Sequence, residues 1–404
     1  MSSGPGVHAA GAGLPRAVWV LGLVSLLMDV SSEMIHSLLP AFMVGTLGAS
    51  ALAVGLIEGV AESIALVARL FSGALSDTLG RRKPLAVLGY GLGALSKPLF
   101  ALAPTLGVVA GARFVDRIGK GLRGAPRDAL VADLVPRGQR GAAFGLRQAL
   151  DTVGAVAGPL LAVALMSAWA DDFRAVFAVA IVPGVLAVVL LVLGVREPAL
   201  PVSRVARIPG RSARLRHLGG AYWWVVALGA VTSLARFSEA FLVLRAQQSG
   251  IALALLPMVM VAMNLVYAAV AYPFGRLADR VDHARLLGAG LLALLAADVV
   301  LAMGPRPAYL FGGVLLRGVH LGLTQGLFGA MIAEVAPESS RGTAYGVFGL
   351  VTGVALLASS AIAGLIWDLA GATGTFIAGA VGCVLALGGL GLRRGLAERR
   401  VGGP

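Results

Sequence analysis

Charge is what this sequence has least of. Only 13% of its 404 residues are Asp, Glu, Lys or Arg, about half the share of a soluble domain, while 58% are hydrophobic. A surface with so little charge would not stay in water, which excludes a soluble globular fold. Cysteine is almost missing: Cys383 stands alone inside an apolar run, so an intrachain disulfide and a cysteine-rich metal site are ruled out. No phosphate-cradling Gly-Lys-Ser/Thr loop occurs, which removes ATP as an energy source and leaves an ion gradient for any uphill work. No catalytic constellation stands out either, so the chain is not expected to be an enzyme, and no cofactor is expected. Acidic residues are scarce beside basic ones, 20 against 33, giving a net charge of +13. In a soluble chain that excess would suggest nucleic acid. Here the basic residues sit in short loops between apolar runs, so the partner they imply is a lipid bilayer and not nucleic acid.

What the sequence does have is long apolar runs. Breaks at Gly, Pro and charge divide them into twelve helices near 17–44, 51–72, 84–104, 106–134, 141–166, 173–195, 222–245, 250–274, 285–303, 307–336, 342–367 and 373–392, each about long enough to cross ~30 Å of hydrocarbon. The first run holds Asp29 and Glu33 and continues into further spans, unlike a cleavable signal. Alternate loops carry Arg81, Arg82 and Lys83, then Arg137 and Arg140, then Arg276, Arg280 and Arg285, then Arg341; the loops near 45–50 and 103–106 carry no Lys or Arg. The positive-inside bias places both termini in the cytoplasm of a bacterial-type inner membrane, with an even number of crossings.

A basic, proline-containing stretch at 196–221 divides the chain into bundles at 1–195 and 222–404. The two halves repeat. Gly73-Ala-Leu-Ser-Asp77 returns 202 residues later as Gly275-Arg-Leu-Ala-Asp279. Asp133 and Arg140-Gly141-Ala-Ala-Phe144-Gly145 return 201 residues later as Glu334 and Arg341-Gly342-Thr-Ala-Tyr345-Gly346. Ser32-Glu33-Met34 is echoed 206 residues on by Ser238-Glu239-Ala240. The expected fold is all-α: twelve transmembrane helices in two pseudo-symmetric six-helix bundles, with the substrate site between them near mid-membrane.

These residues resemble the major facilitator superfamily. Gly73-Ala-Leu-Ser-Asp77-Thr-Leu-Gly80-Arg81-Arg82-Lys83 matches its signature between helices 2 and 3, with Thr78 where a basic residue is frequent. Arg113 stands where the superfamily carries a cavity arginine, with Asp116 in place of a usual Gln. Gly154-Ala-Val-Ala-Gly158-Pro159 on helix 5 resembles the signature of exporters that work by antiport. More locally, Ser31-Ser32-Glu33-Met34-Ile35-His36, Gly55-Leu56-Ile57-Glu58-Gly59 and Asp116-Arg117-Ile118-Gly119-Lys120-Gly121 are similar to the nickel-resistance exporters, although the tail lacks a His-rich end. The resemblance implies alternating access by a rocker switch, and a monomer acting on a small substrate and protons.

Ionisable groups inside spans cost roughly 2.5–3.5 kcal/mol each at the helix centre and persist where they face a cavity or a partner. Asp29, Glu33 and His36 share one face of helix 1, and Glu58 and Glu62 share one of helix 2. Helix 4 carries a basic stripe at Arg113, Arg117, Lys120 and Arg127, with Asp116 and Asp128 beside it. Counting helical rise puts Glu33, Glu58 and Arg113 nearer the periplasm, and Asp29 and Glu62 level with Arg117 or Lys120. Helix 7 offers Arg236 and Glu239, spaced to pair with each other, and helix 10 offers Arg317 as a second cavity arginine.

Three readings stay open for these groups. In the first, the acids alternately hold a proton and a cation, with Asp29, Glu33 and His36 as oxygen and imidazole ligands suited to a divalent metal such as nickel. In the second, the basic stripe binds an anionic metabolite. In the third, the charges form a static network locking helices 1, 2 and 4. Gly73, Asp77, Gly80, Arg81 and Arg82, with Gly275, Asp279 and Arg280, are expected to gate the cytoplasmic ends. Gly154, Gly158 and Pro159 are expected to let helix 5 pack closely and bend. The function expected is proton-coupled efflux of a metal cation, nickel being the example. The alternatives are efflux of a small organic compound or drug, or a membrane sensor that retains the fold without transport.

Overall fold

The structure, a computed structural model, describes residues 14–79, 81–136, 139–197, 218–278, 281–324, 327–336 and 341–401. Every regular element among them is helical. Helix 1 runs Arg16–His36 and, after a turn, Leu39–Gly45; helices 2 to 5 are Ala51–Leu79, Lys83–Ala101, Leu106–Asp133 and Arg140–Ala168. Helix 6 is Phe173–Val179 and Ile181–Gly194, helix 7 is Gly220–Ala235 and Ala240–Gln248, and helices 8 and 9 are Met258–Ala278 and His283–Ala302. Helix 10 is Pro307–Thr324 and Leu327–Val335. The final helical run, Arg341–Val401, breaks at Gly371 (φ 75°, ψ 177°) into helices 11 and 12. This left-handed backbone strains any residue with a Cβ, and glycine permits a sharp turn there.

Among the described residues, eight helical segments are long and apolar enough to cross a membrane, the last of them, Ala344–Gly391, spanning the Gly371 break. Among the same residues, helices 3 and 4 fall short of that apolar standard because Lys97 and the helix 4 stripe interrupt them. Helices 1 and 7 were expected as single runs. Both are broken: helix 1 at Ser37 and Leu38, just before Pro40, and helix 7 at Arg236, whose backbone is extended (φ −110°, ψ 110°). Irregular backbone at this depth is tolerated where it lines a cavity or is covered by protein.

The repeat is visible in the turns as well. Gly48 (φ 68°), after helix 1, and Gly250 (φ 76°), after helix 7, lie 202 residues apart and both adopt the left-handed conformation. Most of the expected basic linker, 198–217, lies outside the described residues, as do Gly80, Asp279 and Arg280.

The buried apolar residues are arranged asymmetrically along the bundle. At the end opposite the basic loops a single core joins both halves, with Phe42 and Phe177 packed in the first and Phe241 and Phe376 in the second. Toward the basic loops there are two cores. One, around Leu21, Tyr90 and Leu191, belongs to the first half; the other, around Tyr222, Leu287 and Leu390, belongs to the second. The halves therefore meet at one end and part toward the other.

Helices 2 and 11 form the seam, reinforced by helix 5 against helix 8 and by the short segments of helices 1 and 7. Glycine sets the approach: a Cβ on Gly55 would stand 2.2 Å from the Ser360 carbonyl oxygen, and one on Gly364 2.5 Å from that of Ala51. Backbones this close gain the van der Waals contact that drives helix association in lipid. The seam ends on a carboxylate. Asp368 of helix 11 accepts from the N–H groups of Ala51 and Leu52, both at 2.9 Å, so an acid from one half caps the helix 2 N-terminus of the other.

Such a charge at a helix N-terminus contributes up to about 1 kcal/mol in an exposed position, roughly a fivefold change in a two-state balance. Asp368→Ala is therefore expected to open the joined end. In a Leu356→Cys, Cys383→Ser background, labelling by an impermeant maleimide added on that side should rise about fivefold. Unchanged labelling would show that the cap does not bias the equilibrium.

Candidate functional site

Where the halves part, two adjoining cavities of about 520 and 310 Å³ lie between them. Glu33, Glu62, Lys120, Arg236 and Glu239 line both, so the zone where the cavities meet takes charged side chains from helices 1, 2, 4 and 7. The larger cavity continues toward the basic loops past Arg69 and Arg147. Five of the residues expected at a site from the sequence thus converge on one space.

Helix 1 brings its acids there because helix 5 lets it approach. A Cβ on Gly154 would lie 2.9 Å from the Cβ of Asp29, and one on Gly158 2.9 Å from the Cβ of Glu33. The glycines and Pro159, which lies inside helix 5, form the bed on which the acid-bearing turns of helix 1 rest.

Helix 4 supplies most of the charge, and most of it is compensated within the first half. Arg113 donates to Glu58, and Arg117 donates to Glu62 at 3.0 Å, the helix 2 to helix 4 levels that the sequence predicts. Asp116 is buried at the centre of this group: Lys97 lies 2.8 Å from it, Arg117 3.2 Å and His36 3.3 Å. Lys97 also donates to Ser32 at 3.0 Å. Asp29 sits further toward the basic loops than expected, 3.5 Å from Arg123, whose guanidinium lies over the Tyr90 ring. Beyond it, Arg127, Arg147 and Arg69 gather around Asp128 at 3.1, 2.9 and 3.4 Å.

Three expectations need correction. Asp29, Glu33 and His36 do not assemble as a metal-binding set, and the described residues contain no cluster of three His, Cys, Asp or Glu able to hold a metal ion. The reason is the stripe facing them: the Arg113 and Arg117 guanidiniums lie against the His36 ring nitrogens and compete for the one lone pair of the neutral imidazole that a metal would need, while Asp29 turns to Arg123. Arg236 and Glu239 do not pair with each other; the break in helix 7 removes the helical spacing that would bring them together. Arg317 does not enter the cavity. It is buried inside the second half, 3.5 Å from Asp298, and donates to the Phe237 carbonyl at 2.6 Å. It supports the unwound Arg236–Glu239 stretch from behind, as Ser360 does by accepting from the Ser238 N–H at 3.2 Å.

At the basic end, Arg82 donates to Asp133 at 2.6 Å, and Glu197 accepts from the backbone N–H groups of Arg82 and Lys83. These ties fasten the loop between helices 2 and 3 within the first half. Arg81 is exposed, and the side chain of Asp77 lies outside what the structure describes. A Cβ at Gly73 would meet Ala125 at an ordinary 3.4 Å and one at Gly275 would meet open space, so close packing does not demand glycine at either.

Lys97, Arg123 and Asp298 were missed from the sequence. Lys97 and Asp298 lie in the middle of apolar runs and are fully buried, so the rule that flagged Glu33 applies equally to them. The Asp368 cap had no local signal, because its partner lies 317 residues away.

The sequence profile of the Major Facilitator Superfamily matches residues 21–261 and 225–401. The chain belongs to that superfamily. This transporter is 29% identical over 380 residues to an uncharacterised MFS-type transporter of Methanocaldococcus jannaschii, covering 92% of this chain and 94% of that one. It is 32% identical over 152 residues to the multidrug resistance protein MdtH of Cronobacter sakazakii, covering 38% and 37%. Among solved structures, it superposes with a TM-score of 0.75 on a bacterial homologue of the human lysosomal transporter Spinster in an inward-facing, occupied conformation. The identity there is 17%, and the alignment covers 94% of this chain and 97% of that one.

The Asp298–Arg317 pair of the transporter gives a direct test. Both carboxylate oxygens of Asp298 lack a hydrogen-bond partner among the described residues, so the pair relies on charge alone. Removing one member of a buried pair typically costs about 3–5 kcal/mol because the other charge is stranded. Arg317→Leu should lower the unfolding temperature in detergent sharply, and adding Asp298→Leu should recover most of the loss. Equal stability of the single and double variants would show that the pair is not coupled.

Proposed function

We propose that this transporter is a proton-coupled exporter of the inner membrane, alternating access to a central site by rocking the 1–195 bundle against the 222–404 bundle about their joined end. The observation that carries the reading is the charged cavity between the halves, reached from the basic-loop end and closed at the other. With basic loops held on the cytoplasmic side, both termini are cytoplasmic and the structure is in the cytoplasm-open state. Breaking the helix 2 cap and the shared core, while bringing the two separate cores together, generates the opposite state. The linker at 196–221 joins the bundles through this motion. The loops with Gly73, Asp77, Gly80, Arg81 and Arg82, and with Gly275, Asp279 and Arg280, close the cytoplasmic ends.

Glu33 is the proposed proton carrier. It lines both cavities together with Lys120 and Glu239, and its nearest basic nitrogen among the described residues is His36 at 3.7 Å. Glu58, Glu62 and Asp29 are each closer to an arginine, which makes them structural counter-charges. A substrate arriving beside Glu33 changes the field there and favours release of its proton, the coupling an antiporter needs. The Gly154, Gly158 and Pro159 signature supports export over uptake.

For the substrate, the geometry favours a small organic compound over a bare divalent ion. A metal such as nickel would have to displace two guanidiniums from His36 and separate Asp29 from Arg123.

Glu33→Gln should abolish substrate-driven proton release in proteoliposomes while leaving expression and unfolding temperature unchanged; wild-type proton release would remove Glu33 from the mechanism. A sensitive host carrying the gene should gain resistance to members of an organic-compound panel and none to graded nickel or cobalt. Protection against the metals alone would restore the metal reading.

A further inference from the structure

The charges of the cavity divide into two classes once each is matched with its neighbours. Arg113, Arg117 and Arg123 all have an acid within 4 Å in the same half. Lys120 does not: among the described residues it makes no side-chain hydrogen bond and no ion pair, and it lines both cavities as an exposed residue. Arg236 is in the same position on the facing half, with no acid within 4 Å among the described residues. On the acidic side, Glu239 likewise has no partner, and Glu33 has only the His36 contact at 3.7 Å. The zone where the cavities meet therefore offers two uncommitted cations and two uncommitted carboxylates, one of each sign from each half.

We propose that the substrate is a zwitterion, a small organic molecule carrying a carboxylate or similar anion together with an ammonium-type cation, held by Lys120 and Arg236 at its anionic end and by Glu33 and Glu239 at its cationic end. The inference rests on the export reading for the existence of a central site but deepens it by naming the class of ligand. A single cation satisfies the two acids and leaves Lys120 and Arg236 facing it, while a single anion does the reverse. A ligand of both signs meets both pairs, and because each pair straddles the seam, it draws the halves together as it binds. The separation of signs is built into the backbone as well. The break in helix 7 lets Arg236 and Glu239 project independently, where an unbroken helix would bring them close enough to neutralise each other. Arg317 and Ser360 hold that break open from behind.

The test uses the full-length protein purified in detergent and a panel of amino acids and dipeptides, each with its C-terminal amide (cation only) and N-acetyl derivative (anion only), together with Ni²⁺. Binding is read from the shift in unfolding temperature as a function of ligand concentration. At least one zwitterion should bind at least tenfold more tightly than both of its singly charged counterparts. Lys120→Gln should abolish the preference for that zwitterion over its amide, and Glu239→Gln its preference over the N-acetyl derivative. A purely structural role for either residue would weaken all forms alike, and that result overturns the proposal. So does tighter binding of the amides, the N-acetyl derivatives or Ni²⁺, or binding of nothing in the panel. Zwitterion-selective binding by a protein that moves no protons would remove the export reading and leave this one standing. Proton-linked flux of singly charged compounds alone would do the opposite.

Discussion

Compensation of charge in hydrocarbon governs how the first half is built. Helix 4 places Arg113, Asp116, Arg117 and Arg123 in buried positions, where an isolated ionised group is very unfavourable. Each is met by a partner: Glu58 and Glu62 from helix 2, Lys97 from helix 3, Asp29 and His36 from helix 1. The alignment of four helices is thus fixed by pairs that cannot slide past one another without stranding a charge. Apolar packing is non-directional and could not hold the register so narrowly. Such pairs add specificity more than net stability, since desolvation offsets most of their attraction.

Close backbone approach complements this. Gly154 and Gly158 seat the acid-bearing turns of helix 1, and Gly55 and Gly364 draw helices 2 and 11 together. The first contact lies within a half and the second across the seam. The rigid, charge-locked bundle is therefore joined to its partner mainly through small residues, van der Waals contact and one carboxylate cap. A boundary of that kind can part and re-form, whereas the ion-pair network inside the bundle cannot. The proposed rocking of whole halves would use that division of interactions.

Much of the architecture was legible in the sequence because hydropathy, loop charge and the offset of about 200 residues are long-range patterns that survive local variation. The matches Glu58 with Arg113 and Glu62 with Arg117 were also readable, since straight helices convert residue number into depth. The misses share one cause. Arg317 was read as a cavity residue and Lys97 and Asp298 were passed over, because depth along a helix is written in the sequence while the facing of a side chain among several neighbours is not. The metal reading of Asp29, Glu33 and His36 failed similarly: their common face on helix 1 was correct, but the arginines that claim His36 come from another helix. The break at Arg236 had a weak signal in the three polar residues Arg236, Ser238 and Glu239 standing close together in an apolar run, which helical spacing alone concealed.

The chain order of the helix 4 partners carries a consequence for biogenesis. Helix 4 is not apolar enough to stand among the self-sufficient spans, so lipid alone would not accept it readily as it leaves the ribosome. Asp29, His36, Glu58, Glu62 and Lys97 all precede it in the sequence and wait in helices 1 to 3. The growing first half can therefore act as the solvent for its own most polar helix, and insertion becomes a cooperative event in which the earlier spans must remain together until the fourth arrives.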